Sequence, residues 1–200
     1  YGWRHAGRCP CHSYLEPSIL QLLSQAGVTK VLDLGCGNGA LCRTLTDAGY
    51  ECIGCDADPG GIELAAHENP DIKFQRLGVY DDPAELPERD FDAVVSTEVI
   101  EHLFEPRFLP RFAAAVLKKD GLLLVTTPYH GYLKNRVRSV TGKWDSHHTA
   151  LWDGGHIKFW SRETLTVLLE REGFSVELFM GVGRAPLLWK SMVLLARKIS

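Results

Sequence analysis

The sequence predicts a doubly wound α/β domain: a mostly parallel sheet with helices on both faces. Three observations carry that expectation. Short apolar runs alternate with amphipathic stretches along most of the chain, the rhythm of strand–helix–strand units joined by right-handed crossovers. The apolar run KVLDL at 30–34 ends in a turn with glycines at Gly35, Gly37 and Gly39. The size is right too, since 200 residues with 45% hydrophobic and 24% charged side chains suit one globular domain with a substantial core.

Taken in order, residues 1–27 read as an N-terminal cap segment without regular period. Residues 30–34 form a buried strand. Residues 40–48 form a helix, with Gly49 at its C-terminal cap because glycine accepts a left-handed backbone. The next elements are a strand at 50–55, a helix at 60–67, a short strand at 72–75, a strand at 91–96 and a helix at 106–117. A fifth strand at 121–127 is stopped by Pro128. Residues 129–155 break the rhythm, and long irregular segments of this kind in compact domains are functional lids or disordered. Residues 161–172 form a helix with Ser161 as N-cap, ended by Gly173. The β runs at 174–180 and 191–197 pair as an antiparallel edge.

The net charge of −3 argues against coating nucleic acid by charge alone. No apolar stretch approaches the roughly 18 residues of a membrane helix. The six cysteines form no disulfide framework. Cys52 and Cys55, three apart on a strand, point to opposite faces and cannot share a metal. A reducing, cytoplasmic setting is the simplest reading. Cys9, Cys11, His12 and His5 have metal-like letters but read as a chance cluster, and His147 and His148 as part of a solvated loop. The chain opens on Tyr1 rather than Met, so a native start is expected upstream.

Ligands of doubly wound sheets bind outside the carboxyl ends of the strands, so the loops there carry the functional reading. Asp33 sits inside the first strand, just before the glycines. A carboxylate at that point repels a pyrophosphate but suits a ligand bearing an ammonium group. Asp56 ends the second strand about 20 residues beyond the glycine turn, where a carboxylate can take both ribose hydroxyls. Asp58 before Pro59 fits a helix N-cap better. After the fourth strand, Glu98, Glu101 and His102 stand at i, i+3 and i+4, one face once a helix begins. Two carboxylates and an imidazole there suit a divalent cation such as Mg, Mn or Zn, with His156 of GGHIKFWS (154–161) as a further ligand. The alternative is that Glu101 and His102 only cap the helix beside a cofactor.

The segments VLDLGCGNG (31–39), FDAVVSTEVIEHL (91–103) and LKKDGLLLVTTP (117–128), with Asp56 between, resemble the class I S-adenosylmethionine (SAM)-dependent methyltransferases, including the type 11 and type 23 groups. The resemblance runs from about Tyr14 to Arg197. It implies a single domain over residues 1–200, with a seven-stranded sheet whose last two strands form an antiparallel hairpin. It implies that Gly35, Cys36, Gly37 and Gly39 hold the methionine part of SAM, Asp33 its amino acid end, and Asp56 and Ala57 the ribose. Leu77, Gly78 and Val79 would flank the adenine, and Ser96 and Thr97 would border the cofactor. Many relatives carry an Asp near position 78, where this chain has Gly78. On the resemblance alone, Tyr1 and Trp3 would fold over the cofactor. The ExxEH pattern with a later His resembles the ubiquinone-biosynthesis O-methyltransferases and the small-RNA 3′-terminal 2′-O-methyltransferases, where the corresponding residues hold a metal.

Methyl transfer to oxygen needs a hydroxyl aimed in line at the sulfonium methyl. A metal lowers the hydroxyl's pKa, or a His removes the proton. Glu98, His102 and His130 are therefore the catalytic candidates. Residues 129–155 and 181–190 are expected to roof the substrate. The first carries Lys134, Arg136, Arg138 and Lys143, the second Pro186, Leu187, Leu188 and Trp189. Such a roof suits a lipid-tailed or anionic small molecule near a membrane surface, and also a nucleic-acid end. Three readings follow: O-methylation of a small quinone-precursor or lipid-like hydroxyl compound, 2′-O-methylation of an RNA 3′ end, and SAM binding without catalysis.

Overall fold

The computed structural model describes Gly7, residues 10–143, Leu151 and residues 153–199. The expectations for Tyr1, Trp3, His5, Cys9, His147 and His148 lie outside the described residues. Strands β1 (Lys30–Leu34), β2 (Glu51–Asp56), β3 (Lys73–Arg76), β4 (Phe91–Thr97), β5 (Leu117–Pro128), β6 (Phe174–Val182) and β7 (Ser191–Lys198) form one sheet. Their order is β3-β2-β1-β4-β5-β7-β6. β1 runs parallel to β2 and β4, β2 to β3, and β4 to β5, whereas β7 is antiparallel to both β5 and β6. The short connection between β6 and β7 leaves no room for the crossover that parallel pairing needs.

Helices α1 (His12–Ala26), α2 (Ala40–Asp47), α3 (Pro59–Glu68), α4 (Phe108–Val116), α5 (Tyr132–Val140) and α6 (Arg162–Arg171) surround the sheet. Strand side chains alternate between its faces. Leu32 and Leu34 join a core containing Phe112 of α4 and Leu165 of α6. Val31 joins the other core, with Ile19 of α1 and Leu41 of α2. Cys52 lies in the second core and Cys55 in the first, on opposite faces as their spacing implies. The strand order reverses at β1, which opens a crevice at the carboxyl ends of β1 and β4.

Three expectations are corrected. The N-terminal cap segment contains a regular helix, α1, with Leu15, Ile19, Leu22 and Leu23 buried at helical spacing despite Pro17 inside it. Burial of that apolar stripe outweighs the backbone bond Pro17 removes. The irregular stretch 129–155 contains α5. Its buried residue is Lys134, while Leu133 and Val137 are exposed, so no apolar period marks an inward face. β5 also begins earlier than expected: Leu117 pairs with Phe91 before a register shift to Ala93 and Leu122. Among the described residues, no helix is long and apolar enough to cross a membrane.

Candidate active site

A cavity of about 500 Å³ opens at the carboxyl ends of β1, β2 and β4, within the usual size of small-molecule sites. Asp33 reaches it from inside β1 and is fully buried. Its Oδ2 accepts the Cys42 thiol at 3.3 Å, and its Oδ1 has no partner. Burial pushes its pKa up to about 7, against the lowering effect of the thiol. A buried carboxyl with an unused oxygen beside a cavity is set to receive a cationic group.

The glycines serve three different purposes. Gly35 has φ +87° and borders the cavity, and a Cβ there would collide with Val99. Gly37 donates its N–H to Asp56 Oδ2 at 2.8 Å. Gly39 has φ +75°, and a Cβ would press on Phe74 of β3 and Ala65 of α3 at 2.8–2.9 Å, so only glycine lets the turn pack this closely against them. Gly37 and Gly39 thus stand behind the cavity rather than on its wall. Asp56 Oδ1 accepts the Asp58 N–H at 2.8 Å, and the two backbone bonds fix the carboxylate's orientation. Burial raises its pKa and those bonds oppose the rise. Asp58 caps α3 by accepting from Gly60 N.

Cys36, Ala57, Gly78, Val79 and Thr97 line the cavity. Leu77 and Ser96 do not. Leu77 is a core residue whose N–H binds the Asp56 carbonyl, and Ser96 is buried with its hydroxyl donating to the Leu34 carbonyl at 2.8 Å, tying β4 to β1. A carboxylate that sequence reasoning missed stands near Gly78. Asp81 lines the cavity, and its Oδ2 accepts the Gly78 N–H at 2.7 Å. The Asp81-Asp82 pair directly after Val79-Tyr80 was the available signal. Cys11 and His12, at the start of α1, also border the cavity, and His12 sits 3.5 Å from Glu16.

The turn after β4 differs from the expected helix. Glu98 has φ +54°, a left-handed backbone uncommon for a residue with a side chain, and only a single 3-10 turn follows at Ile100–His102. Glu98 therefore does not share one helical face with Glu101 and His102. Its Oε1 accepts from Thr126 at 3.0 Å and its Oε2 from Ser191 at 3.2 Å. It lines the cavity but stands outside a tighter trio: Glu101, His102 and His156 place one ligand atom each within 4.8 Å of one another.

Two backbone bonds build this trio. The Glu101 carbonyl accepts the Ile157 and Lys158 N–H groups at 2.9 and 3.0 Å, which latches residues 154–158 beside the turn. His102 Nδ1 lies 2.8 Å from the Gly154 carbonyl and 3.2 Å from that of Gly155. Carbonyls only accept, so Nδ1 carries the proton and Nε2 is the ring's lone-pair atom, 4.0 Å from Glu101 Oε1. Glu101 is buried, with Oε2 accepting from Thr127 at 3.0 Å and Oε1 without a partner. Burial, then the nearby Glu98 charge, hold its carboxyl well above the usual range. Burial holds the His102 imidazole below its ordinary value. The His156 ring meets that of His102 edge-on, with centroids 4.8 Å apart.

His130 is not part of this constellation. It is buried with its ring 5.1 Å from that of Phe159, its backbone N–H donates to the Trp160 carbonyl, and it does not line the cavity. The apolar roof loop also folds onto its own hairpin. Trp189 covers Gly181, where a Cβ would collide with it, and meets Tyr129 and Phe179 edge-on. No residue of 181–190 lines the cavity.

A carboxylate-lined cavity at the reversal point of this strand order is where a nucleoside cofactor binds. A family model described as a methyltransferase domain matches residues 4–178. The chain belongs to the class I SAM-dependent methyltransferases. This methyltransferase chain is 32% identical over 167 residues to the human mitochondrial ubiquinone biosynthesis O-methyltransferase, covering 76% of the chain and 43% of that protein. It is 34% identical over 175 residues to the ubiquinone biosynthesis O-methyltransferase of Rhodopseudomonas palustris, covering 83% and 66%. The methyltransferase chain thus spans only part of the length of these relatives. Its fold is shared by magnesium protoporphyrin IX methyltransferase from Synechocystis PCC 6803, solved with bound SAH, at a TM-score of 0.68 and 19% identity over 91% of this chain and 81% of the other. The seven strands and the antiparallel last hairpin match what the sequence resemblance implies.

Proposed function

We propose that this methyltransferase moves the methyl group of SAM to a hydroxyl oxygen of a small molecule at the Glu101–His102–His156 end of the cavity. The observation that carries this reading is the trio itself: a buried carboxylate with an unused oxygen, beside an imidazole whose tautomer is set by two carbonyls. Binding a cofactor alone requires no such cluster. In this reading Asp33 takes the ammonium of SAM and Asp56 its ribose hydroxyls. Val79 flanks the adenine, and Asp81 supplies the carboxylate that position 78 lacks.

The donor set fits a divalent cation. Glu101 Oε1 and His102 Nε2, with a ring nitrogen of His156, are oxygen and nitrogen donors of the kind that Mg, Mn or Zn sites use. When bound, such an ion lowers the pKa of the acceptor hydroxyl and positions its oxygen. The chain's own contribution is orientation: Thr127 holds Glu101, and the Gly154 and Gly155 carbonyls hold His102. A second reading rests on the His102 ring geometry: with Nδ1 turned to the Gly154 and Gly155 carbonyls, Nε2 accepts the hydroxyl proton unaided, and burial, which lowers the ring's pKa, favours the neutral form this needs.

The names of the relatives point to a hydroxylated quinone-precursor type of acceptor. Leu133, Val137 and Val140 form an exposed apolar stripe on α5 at i, i+4 and i+7, which supports a lipid-tailed acceptor met at a membrane surface. The test uses chelator-treated protein resupplied with Mg²⁺, Mn²⁺ or Zn²⁺ and assayed with catechol. Glu101→Gln and His102→Ala should cut turnover by roughly 100-fold or more with SAH affinity unchanged. Full turnover after chelation would remove the cation and leave His102 as base. Loss of SAH binding in both variants would mean that the trio shapes the cofactor site instead.

A further inference from the structure

The two sides of α5 carry opposite chemistry. Its outer stripe is apolar, while Lys134 and Arg138, one turn apart, face inward. Lys134 is only 6% exposed, and its Nζ donates to the Lys190 carbonyl at 3.0 Å. Arg138 has a buried Nη1 without any partner. Arg184, in the turn between β6 and β7, adds a third positive charge that repels both. None of the three forms an ion pair among the described residues. Of the three, Lys134 is buried, Arg138 half-buried and Arg184 exposed. Burying a cation beside like charges is costly, and the cost appears in Lys134, whose pKa burial brings down to about 7. Among the described residues, the carboxylate whose charge is felt at Lys134 is that of Glu98, already engaged by Thr126 and Ser191.

None of the three lines the cavity, and the cluster connects to it through a short chain of contacts. Lys134 binds the Lys190 carbonyl, the next residue, Ser191, donates to Glu98, and Glu98 lines the cavity. From this arrangement we propose that Lys134, Arg138 and Arg184 form a subsite for an anionic group, a carboxylate or phosphate, carried by the acceptor molecule. The proposal rests on the O-methylation reading for the identity of its ligand as acceptor. Arg138 supplies a planar fork that grips such a group with two parallel bonds, Lys134 supplies a compact charge, and Arg184 completes the field from the opposite element. Anchoring the acceptor at this second point would also hold its hydroxyl in line with the methyl group.

The experiment is calorimetry on the SAH-saturated protein with three probes: 3,4-dihydroxybenzoate, catechol and inorganic phosphate. The expected result is dihydroxybenzoate binding roughly tenfold or more tighter than catechol, as charge-assisted bonds imply, with phosphate competing against it. Lys134→Met and Arg138→Gln should each erase most of that preference, with Arg138→Lys restoring part of it. Unchanged SAH affinity in these variants shows that they fold. Equal binding of dihydroxybenzoate and catechol to the unaltered protein overturns the proposal, as does a preference that survives both substitutions. Phosphate binding without a preference for dihydroxybenzoate over catechol also overturns it, since the cluster would then hold only a free anion. Methyl transfer to catechol without any carboxylate preference sinks the subsite and leaves O-methylation standing. A carboxylate preference without methylated product does the reverse.

Discussion

Asp33 shows how one side chain links strand position, burial and ligand charge. Inside β1 its carboxyl is shut away from water, and its pKa rises from 3.8 to about 7. The protonated form is therefore favoured in the folded state. Asp33 supports the fold fully below pH 3.8, and that support is lost as pH rises toward 7. An ammonium ligand needs the opposite, ionised form. Affinity for SAH should weaken below pH 7 by up to about tenfold per pH unit, with proton release on binding. Calorimetry at pH 7.5 and 5.5 in two buffers of different ionisation heat checks this, and Asp33→Asn should flatten the dependence. A pH-independent affinity would show that Asp33 is not the ammonium partner. The place of Asp33 and Asp56 at the cavity was legible from the sequence because Asp33 stands just before the glycine turn of β1 and Asp56 ends β2. The shared helical face expected for Glu98, Glu101 and His102 was misread because one left-handed residue, Glu98, ended the assumed register. Asp81 was missed because its role comes from a turn that folds it back to the Gly78 N–H.

At the scale of elements, α6 was the most readable helix, because its boundaries are set locally. Ser161 accepts from the Thr164 N–H, and Thr164 Oγ1 accepts from the Ser161 N–H, a reciprocal cap. Ser161→Ala should cost about 1 kcal/mol, lowering Tm by roughly 2–4 °C for a domain of this size. A thermal melt measures it, and no shift would mean that Leu165 and Leu169 packing alone holds the helix. By contrast, α1 and α5 were unreadable for opposite reasons. Pro17 disguised a helix whose apolar stripe packs well, and α5 turns cations inward and apolar residues outward. A periodic pattern reports a helix only when its buried side is apolar and unbroken.

At the scale of the whole molecule, cofactor binding and stability are linked through the crevice between the two halves of the sheet. Because SAH binds only the folded chain, saturation at 100 times Kd should add about 2.7 kcal/mol and raise Tm by roughly 5–10 °C. Asp56→Ala should remove most of that shift in a fluorescence melt; a full shift would refute its role at the ribose. The alternating apolar runs and the glycine turn determined the class of fold, the parallel strands and the strand ends that carry the cavity, since strand alternation and glycine turns are local properties of the chain. Only the tertiary structure decided which polar residues meet. Two N–H groups on the Glu101 carbonyl carry His156 across to His102, and an inward-facing α5 brings Lys134 and Arg138 near Arg184. Those pairings join residues far apart in the chain, and their energies come from burial and hydrogen bonding in the packed state, which no local pattern encodes.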